Sequence, residues 1–293
     1  MVLHKQKTAF KKRWLLGGLL CTLFVSGCTN DQPYKGEVLQ PINRFIYDIK
    51  KVVPNANDDF NEIDLSLFQR TPHAWGEFLE GVKTELDTTE KVIALTFDAC
   101  GGPNGSQIDE ELIRYLITNE IPSTLFVNAR WIKENQEKFL ELANNPLFQI
   151  ENHGTEHKPL SVTGESAWGI VGTSSPEEAL EEITINQDLI FELTGEQPTM
   201  FRPGTAFFDN IAIELLHHLS IQPVNYSLLG DAGATYSANQ VEEALLNGAF
   251  PGAIALLHMN QPNSGTAKGV IAAIPTLQEA GYTFVQLHDF PLK

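Results

Sequence analysis

Two histidines four residues apart, in His153-Gly154-Thr155-Glu156-His157, are the most chemically suggestive pair in this chain. At that spacing two imidazoles can reach one ion at about 2.0–2.1 Å, and a carboxylate would complete three protein ligands while leaving a position open for water. An ion so held lowers the pKa of its water to about 7 and polarises a carbonyl oxygen. Amide cleavage also needs a carboxylate to take the water's proton and a further His to protonate the departing amine. Candidates for both stand at the ends of short apolar runs: Asp98 and Cys100 in Thr96-Phe97-Asp98-Ala99-Cys100, Asp231 after Gly230, and His258 in Leu256-Leu257-His258. Arg202, in Arg202-Pro203-Gly204-Thr205, would keep an acid beside it ionised. Singly, each has a plainer account: a helix cap for one acid, a chance pair for the histidines, a surface ion pair for Arg202. Their common position ties them together, because sites in α/β folds gather at the carboxyl ends of parallel strands.

Positioning these residues takes strands, and from Lys91 onward short apolar runs alternate with longer amphipathic stretches. The runs are Val92–Phe97, Ser123–Val127, Phe148–Asn152, Met200–Arg202, Gln222–Tyr226, Ile254–Leu257 and Thr283–Leu287. A helix is expected after Ser175-Pro176-Glu177-Glu178, where a capping serine is followed by a first-turn proline and acids at the positive helix end. Leu180, Ile183, Ile190 and Leu193 are its expected buried stripe, and Gly195 its end. Alternation of this kind fits a barrel or an open doubly wound sheet, and periodicity does not choose between them. Gly101-Gly102-Pro103-Asn104-Gly105 is no phosphate loop, lacking both the Gly-Lys-Ser/Thr ending and the Gly-x-Gly-x-x-Gly order, and is expected to turn the backbone sharply beside Asp98. His73 and Trp75 are expected to pack against the main domain, His217 and His218 to lie on a solvated helix face, and His288 and Asp289 to cap the last strand. Trp168 lies in a long loop, Pro159 to Ser175, and could stack on a sugar.

The 293 residues carry Lys+Arg 20 against Asp+Glu 37, a formal net charge of −17, with 42% hydrophobic content. A sizeable core is within reach. A nucleic-acid partner is excluded, because phosphates need a basic face. Lys5, Lys7, Lys11, Lys12 and Arg13 precede every acid and are followed by the apolar stretch Trp14–Phe24, well short of the roughly twenty residues a membrane span needs. Residues 1–27 are therefore expected to be a signal peptide. Val25-Ser26-Gly27-Cys28 resembles the lipobox of bacterial lipoproteins, which implies cleavage before Cys28 and its diacylation; an ordinary secretory signal or a short anchor is the alternative. Acyl chains contribute about 0.8 kcal/mol per buried methylene, so a lipidated Cys28 would hold the protein to an extracytoplasmic membrane surface. Residues 28–90 are expected to be an acidic tether with a small docking helix, Ile42 to Val53, and residues 91–290 the catalytic domain.

In their order, the strand-end residues resemble the motifs of the NodB-homology polysaccharide deacetylases, the family 4 carbohydrate esterases. The likeness covers roughly Lys91 to Leu287. It implies a distorted (β/α) barrel of about seven parallel strands, a zinc or similar divalent ion, and removal of acetyl groups from an N-acetylated glycan such as peptidoglycan. Thr96-Phe97-Asp98 matches the start of the Thr-Phe-Asp-Asp-Gly motif, and His153 and His157 match His-Ser/Thr-x-x-His with Gly154 in place of the hydroxyl residue. Arg202-Pro203-Gly204-Thr205 retains part of Arg-x-Pro-Tyr, and Ile254-Ala255-Leu256-Leu257-His258 resembles the strand that carries the family's general acid. The resemblance assigns the base to Asp98, the acid to His258 with Asp231 orienting it, the oxyanion donor to the backbone amide of Thr205, and the acetyl-methyl pocket to Leu256.

Ala99 stands where the resemblance places the metal-binding carboxylate, and alanine binds nothing. Asp98 could become the ligand, with another acid or a second water as base; Cys100 could supply a thiolate; or the ion could be held weakly or not at all. Asp98 with His153 and His157 meets the usual ligand count and is the expected set. The expected function is metal-dependent N-deacetylation of an extracytoplasmic glycan. A glycan-binding lipoprotein that has lost turnover, or a hydrolase of another C–N bond such as a cyclic amide, are the alternatives.

Overall fold

The computed structural model describes residues 63–293; the signal segment, Cys28 and the expected helix from Ile42 to Val53 lie outside the described residues. Eight strands form the main sheet: β1 (Val92–Ala99), β2 (Ser123–Val127), β3 (Phe148–Asn152), β4 (Met200–Phe201), β5 (Gln222–Pro223), β6 (Leu228–Leu229), β7 (Ala253–His258) and β8 (Thr283–Val285). Seven run in the order β6-β7-β1-β2-β3-β4-β5, and β8 pairs with the first residues of β1. Every pairing in this sheet is parallel. Helices α1 (Glu110–Thr118), α2 (Ala129–Glu134), α3 (Gln136–Ala143), α4 (Pro176–Thr194), α5 (Asn210–His218), α6 (Ala238–Gly248) and α7 (Thr266–Glu279) connect the strands.

Chain connectivity decides between barrel and open sheet. β5 and β6 occupy opposite ends of the strand order, yet only Val224-Asn225-Tyr226-Ser227 joins them. A flat seven-stranded sheet would separate its edges by about 29 Å at the usual strand spacing. The connection reaches only about 17 Å when fully extended. The sheet therefore curls into a half-barrel, and Lys83–Leu86 lies along its seam: Pro223 O accepts from Lys83 N at 2.9 Å, Lys83 O from Asn225 N at 2.7 Å, and Gly252 O from Leu86 N at 2.8 Å. From Ile63 on, the stretch expected to be tether is instead packed body, with Phe68, Val82 and Leu86 buried. Isolated bridges rather than a periodic apolar run hold it, so it carries no strand-like pattern.

Strand alternation sorts side chains into two layers. Ile93, Leu95, Phe97 and Ala99 face outward into the core between sheet and helices, with Leu125, Val127, Ala255 and Leu257. Ala94, Phe126, Ile254 and Leu256 fill the inside of the curl. The helix expected after Ser175 is α4: Ser175 Oγ accepts from Glu178 N at 3.2 Å, and Gly195 takes the left-handed C-cap at φ 75°. Its buried face differs from the expected stripe. Ile183 and Ile190 are buried as expected, but Leu180 and Leu193 are only partly so, and Glu182, Asn186 and Gln187 are buried with them. That face must supply hydrogen bonds to strand-end backbone, which leucine cannot: Asn186 Nδ2, for example, donates to Val127 O at 2.8 Å.

Candidate active site

By alternation Asp98 points into the curl together with Thr96, and Ala99 points away. Arg202, just after β4, is completely buried. Its Nη1 donates to Asp98 Oδ1 and to Thr96 Oγ1, both at 2.8 Å, its Nη2 to Asn225 O at 2.8 Å, and its guanidinium carbon lies 4.1 Å from the centre of the Phe126 ring. One permanent cation thus joins β1 to the β5–β6 connection and holds Asp98 by one oxygen. The other oxygen, Oδ2, is 3.6 Å from His153 Nε2.

The His153–His157 loop is built on buried polar side chains. Asn128 Nδ2 donates to His153 O at 2.9 Å and Gly154 O at 2.8 Å. Glu182, from α4, accepts the backbone N–H of Thr155 (3.1 Å), Glu156 (2.9 Å) and Lys158 (3.1 Å). Its burial pushes the carboxyl up to about 7, against the loop's amides. Gly154 has φ 78°, and a Cβ there would stand 2.4 Å from Glu182 Oε1, which accounts for the missing hydroxyl residue. His153 Nδ1 is 2.8 Å from Arg202 O, so the ring donates there and turns a bare Nε2 toward the centre of the site. The His153 and His157 rings meet edge to face, with centroids 4.9 Å apart.

Cys100 joins this pair. Its Sγ is 3.8 Å from His153 Nε2, and the ligand atoms of Cys100, His153 and His157 all lie within 4.8 Å of one another. Asp98, the expected third ligand, is not one of that group. Burial pushes the Cys100 thiol up, but His157, with hydrogen bonds from His153, His157 and His258, outweighs it and holds the thiol well below its ordinary range. Burial likewise pushes His153 down, and the Asp98 charge, with Cys100, more than reverses it.

Across the cavity, Asp231 follows β6 and is fully buried. Its Oδ1 is 2.9 Å from His258 Nδ1, while Oδ2 accepts from His258 N at 2.8 Å and from Thr266 Oγ1, at the start of α7, at 2.9 Å. Three contacts to one acid fix the imidazole at the end of β7. Burial would lower His258, but the Asp231 charge raises it well above its ordinary value. Burial would raise Asp231, and the His258 charge instead lowers it.

Asp98, Cys100, His153, His157 and His258 line one open cavity of about 800 Å³, with Leu256 and Thr205 on its wall. Thr205 has a left-handed backbone, φ 76°, and its buried hydroxyl oxygen has no hydrogen-bond partner. Trp168 sits on the rim, 77% exposed, in the two-residue turn of a hairpin pairing Ser166–Ala167 with Ile170–Val171. Trp75 packs on Phe207 and pairs with Asp209 in the backbone, while His217 and His218 are exposed on α5. Three residues of the site carried no motif. Arg130 donates to Cys100 O at 3.1 Å, Tyr226 donates to Glu77 Oε1 at 3.0 Å, and Glu182 holds the histidine loop. Polar side chains at buried helical spacing, Glu182 with Asn186, were the available signal for the last.

The sequence and the fold have counterparts among known proteins. Residues 85–224 match the family model for polysaccharide deacetylase. A peptidoglycan-N-acetylglucosamine deacetylase of Listeria monocytogenes is 25% identical over 204 residues, which cover 69% of this chain and only 39% of that protein. The structure of a family 4 carbohydrate esterase from Bacillus anthracis is similar, with a TM-score of 0.57 at 26% identity over 75% of this chain and 96% of the other. A CE4 family pseudoenzyme from Bacillus anthracis shares the fold, with a TM-score of 0.58 at 20% identity over 71% of this chain and 67% of the other. Asp231 and His258 lie beyond the residues matched by the family model, and the fold brings them back to Asp98 and the histidine pair. The match to the polysaccharide deacetylase model thus runs through strands β1 to β5, and the curled sheet is similar to that of a family 4 carbohydrate esterase.

Proposed function

We propose that this domain is a metal-dependent hydrolase that removes N-acetyl groups from an extracytoplasmic glycan, with peptidoglycan as the favoured polymer. The observation that carries the reading is convergence: an arginine-held carboxylate, two imidazoles and an aspartate-held imidazole from separate strands open onto one cavity. The donor atoms suit a divalent ion, since three lie within 4.8 Å of one another beside open space. Such an ion, when bound, supplies Lewis acidity toward the acetyl carbonyl and a more acidic water.

The protein's own groups do the rest. Asp98, held by Arg202 at 2.8 Å, accepts the proton of the attacking water. His258, kept protonated by Asp231, delivers a proton to the sugar nitrogen as acetate leaves. The Thr205 backbone amide, on a left-handed turn in the cavity wall, is the oxyanion donor, and Leu256 is the floor under the acetyl methyl. Trp168 offers an exposed ring face at the rim for a neighbouring sugar. Incubation with an N-acetylglucosamine oligomer and with peptidoglycan fragments tests the reading: acetate and free amine should appear in equal amounts and cease with chelator. Acetate release that persists in metal-free protein would overturn the metal dependence.

One observation favours a second reading. Ala99 is buried in the outer core, so the usual carboxylate ligand is missing, and a CE4 family pseudoenzyme shares the fold. Glycan binding with no acetate released under any metal would establish a binding protein instead. Placement at the envelope is part of the proposal and is supported by the Val25-Ser26-Gly27-Cys28 motif. Cys28→Ser should move the protein from the membrane to the soluble fraction, and unchanged fractionation would refute lipid anchoring.

A further inference from the structure

We propose that the Cys100 thiolate is the third protein ligand of the metal site, so that the ion is held by one sulfur and two imidazole nitrogens. This rests on the reading of the chain as a metal-dependent hydrolase and concerns which atoms hold the ion. Strand parity comes first. β1 runs through Ala99 with its methyl in the outer core, so no side chain at position 99 faces the histidines. Cys100, one residue on, falls on the Asp98 side and reaches them.

Distance comes second. Bond lengths of about 2.3 Å to sulfur and about 2.0–2.1 Å to nitrogen, at a tetrahedral angle, separate the two ligand atoms by about 3.6 Å. Cys100 Sγ and His153 Nε2 are 3.8 Å apart. His153 is already turned for the task by Arg202 O at its other nitrogen. Asp98, by contrast, gives Oδ1 to Arg202, and its Oδ2, although 3.6 Å from His153 Nε2, stands outside the group of three that includes His157. Carboxylate and thiolate thus divide two duties: Asp98 remains a base, and Cys100 takes the ion. A sulfur in the set selects borderline or soft divalent ions, zinc or cobalt, over magnesium, calcium or manganese. Binding releases the thiol proton to solvent.

Cobalt(II) titrated into the metal-free, reduced full-length chain tests this spectroscopically, without an activity assay. A near-ultraviolet sulfur-to-cobalt charge-transfer band should grow with the visible cobalt bands, disappear in Cys100→Ser and persist in Asp98→Asn. Zinc affinity should fall in Cys100→Ser by more than the roughly 10–100-fold that loss of an outer-shell partner costs. Visible bands without the near-ultraviolet band in the wild-type chain would overturn sulfur ligation while leaving the metal reading intact. Loss of the band in Asp98→Asn in a normally folded variant would return the ion to the carboxylate. No cobalt binding at all would overturn the metal reading itself. Because Cys21 and Cys28 are also thiols, the band should survive Cys21→Ser and Cys28→Ser, which assigns it to Cys100 even where Cys100→Ser fails to fold.

Discussion

The cavity contains two acid–cation pairs that differ in the kind of cation. Asp98 is held by Arg202, which is always charged and has no exposed surface. Asp231 is held to His258, which can lose its proton and keeps a partly exposed edge on the cavity. The first pair also ties Thr96 and the backbone at Val224 and Asn225, so it is part of the frame that closes the curl. The second ties its own histidine, Thr266 and the nearby Ala234 amide. A fixed cation suits a base that must stay ionised, and a titratable one suits an acid that must give up its proton and recover it.

The sharpest way to break this contrast is to disable each pair in turn. Asp98→Asn should reduce acetate release by about 10³-fold or more, the upper part of the range for removing a general base, and should also lower the urea midpoint, because it leaves the buried Arg202 without its counter-charge. Arg202→Met should be mainly a folding event, since removing one partner of a buried pair costs about 3–5 kcal/mol. Urea denaturation measures it, and a midpoint close to wild type would show that the frame does not depend on the guanidinium. Asp231→Asn should leave the midpoint nearer to wild type and lower kcat/KM by about 10²-fold. Because Asp231 raises His258, its loss should move the alkaline limb of the pH–rate profile toward lower pH. A shift to higher pH, or none, would remove His258 from the acid's role.

A smaller effect sharpens the comparison from outside the pairs. Glu182 has its carboxyl pushed up from the ordinary 4.5 to about 7 by burial, so the folded chain holds that proton more tightly than the unfolded chain does. Its contribution to stability is complete below about 4.5 and is lost as pH rises through about 7, a change of about 3 kcal/mol at most. Glu151, buried on β3 where it accepts the amides of Thr199 and Met200, is also pushed up to about 7 and acts in the same direction. Glu182→Gln should therefore flatten the pH dependence of the urea midpoint between those limits without abolishing it. A slope identical to wild type would mean that the histidine loop does not rest on this carboxyl.

Legibility followed the length of each signal. β2 was readable to the residue as a β-branched and aromatic run, β3 from Phe148 and Ile150 alternating with polar residues, and α4 because its serine cap and glycine stop bracket it. Curling was not readable, because β4, β5 and β6 are two residues long and Leu228–Leu229 has no run of its own. In the site, strand-end position identified Asp98, His153, Arg202, Asp231 and His258 together. Ligand choice was harder. The sequence offers both Asp98 and Cys100 once Ala99 is set aside, and the two-residue period of β1, carried one position past its end, puts both on the inner side without choosing between them. Glu182 was hidden because a glutamate on a helix usually faces water.

The seam has a practical side. Strand–helix alternation begins at Lys91, which makes that residue a tempting place to start a shortened recombinant version. Such a protein would lack Lys83–Leu86 and the amides and carbonyls it offers to Pro223, Asn225 and Gly252, and would leave the hole of Leu86 between the two sheet edges. An exposed, unpaired edge invites pairing between molecules. A version that stays soluble and monomeric in the test tube has to begin upstream of Phe68.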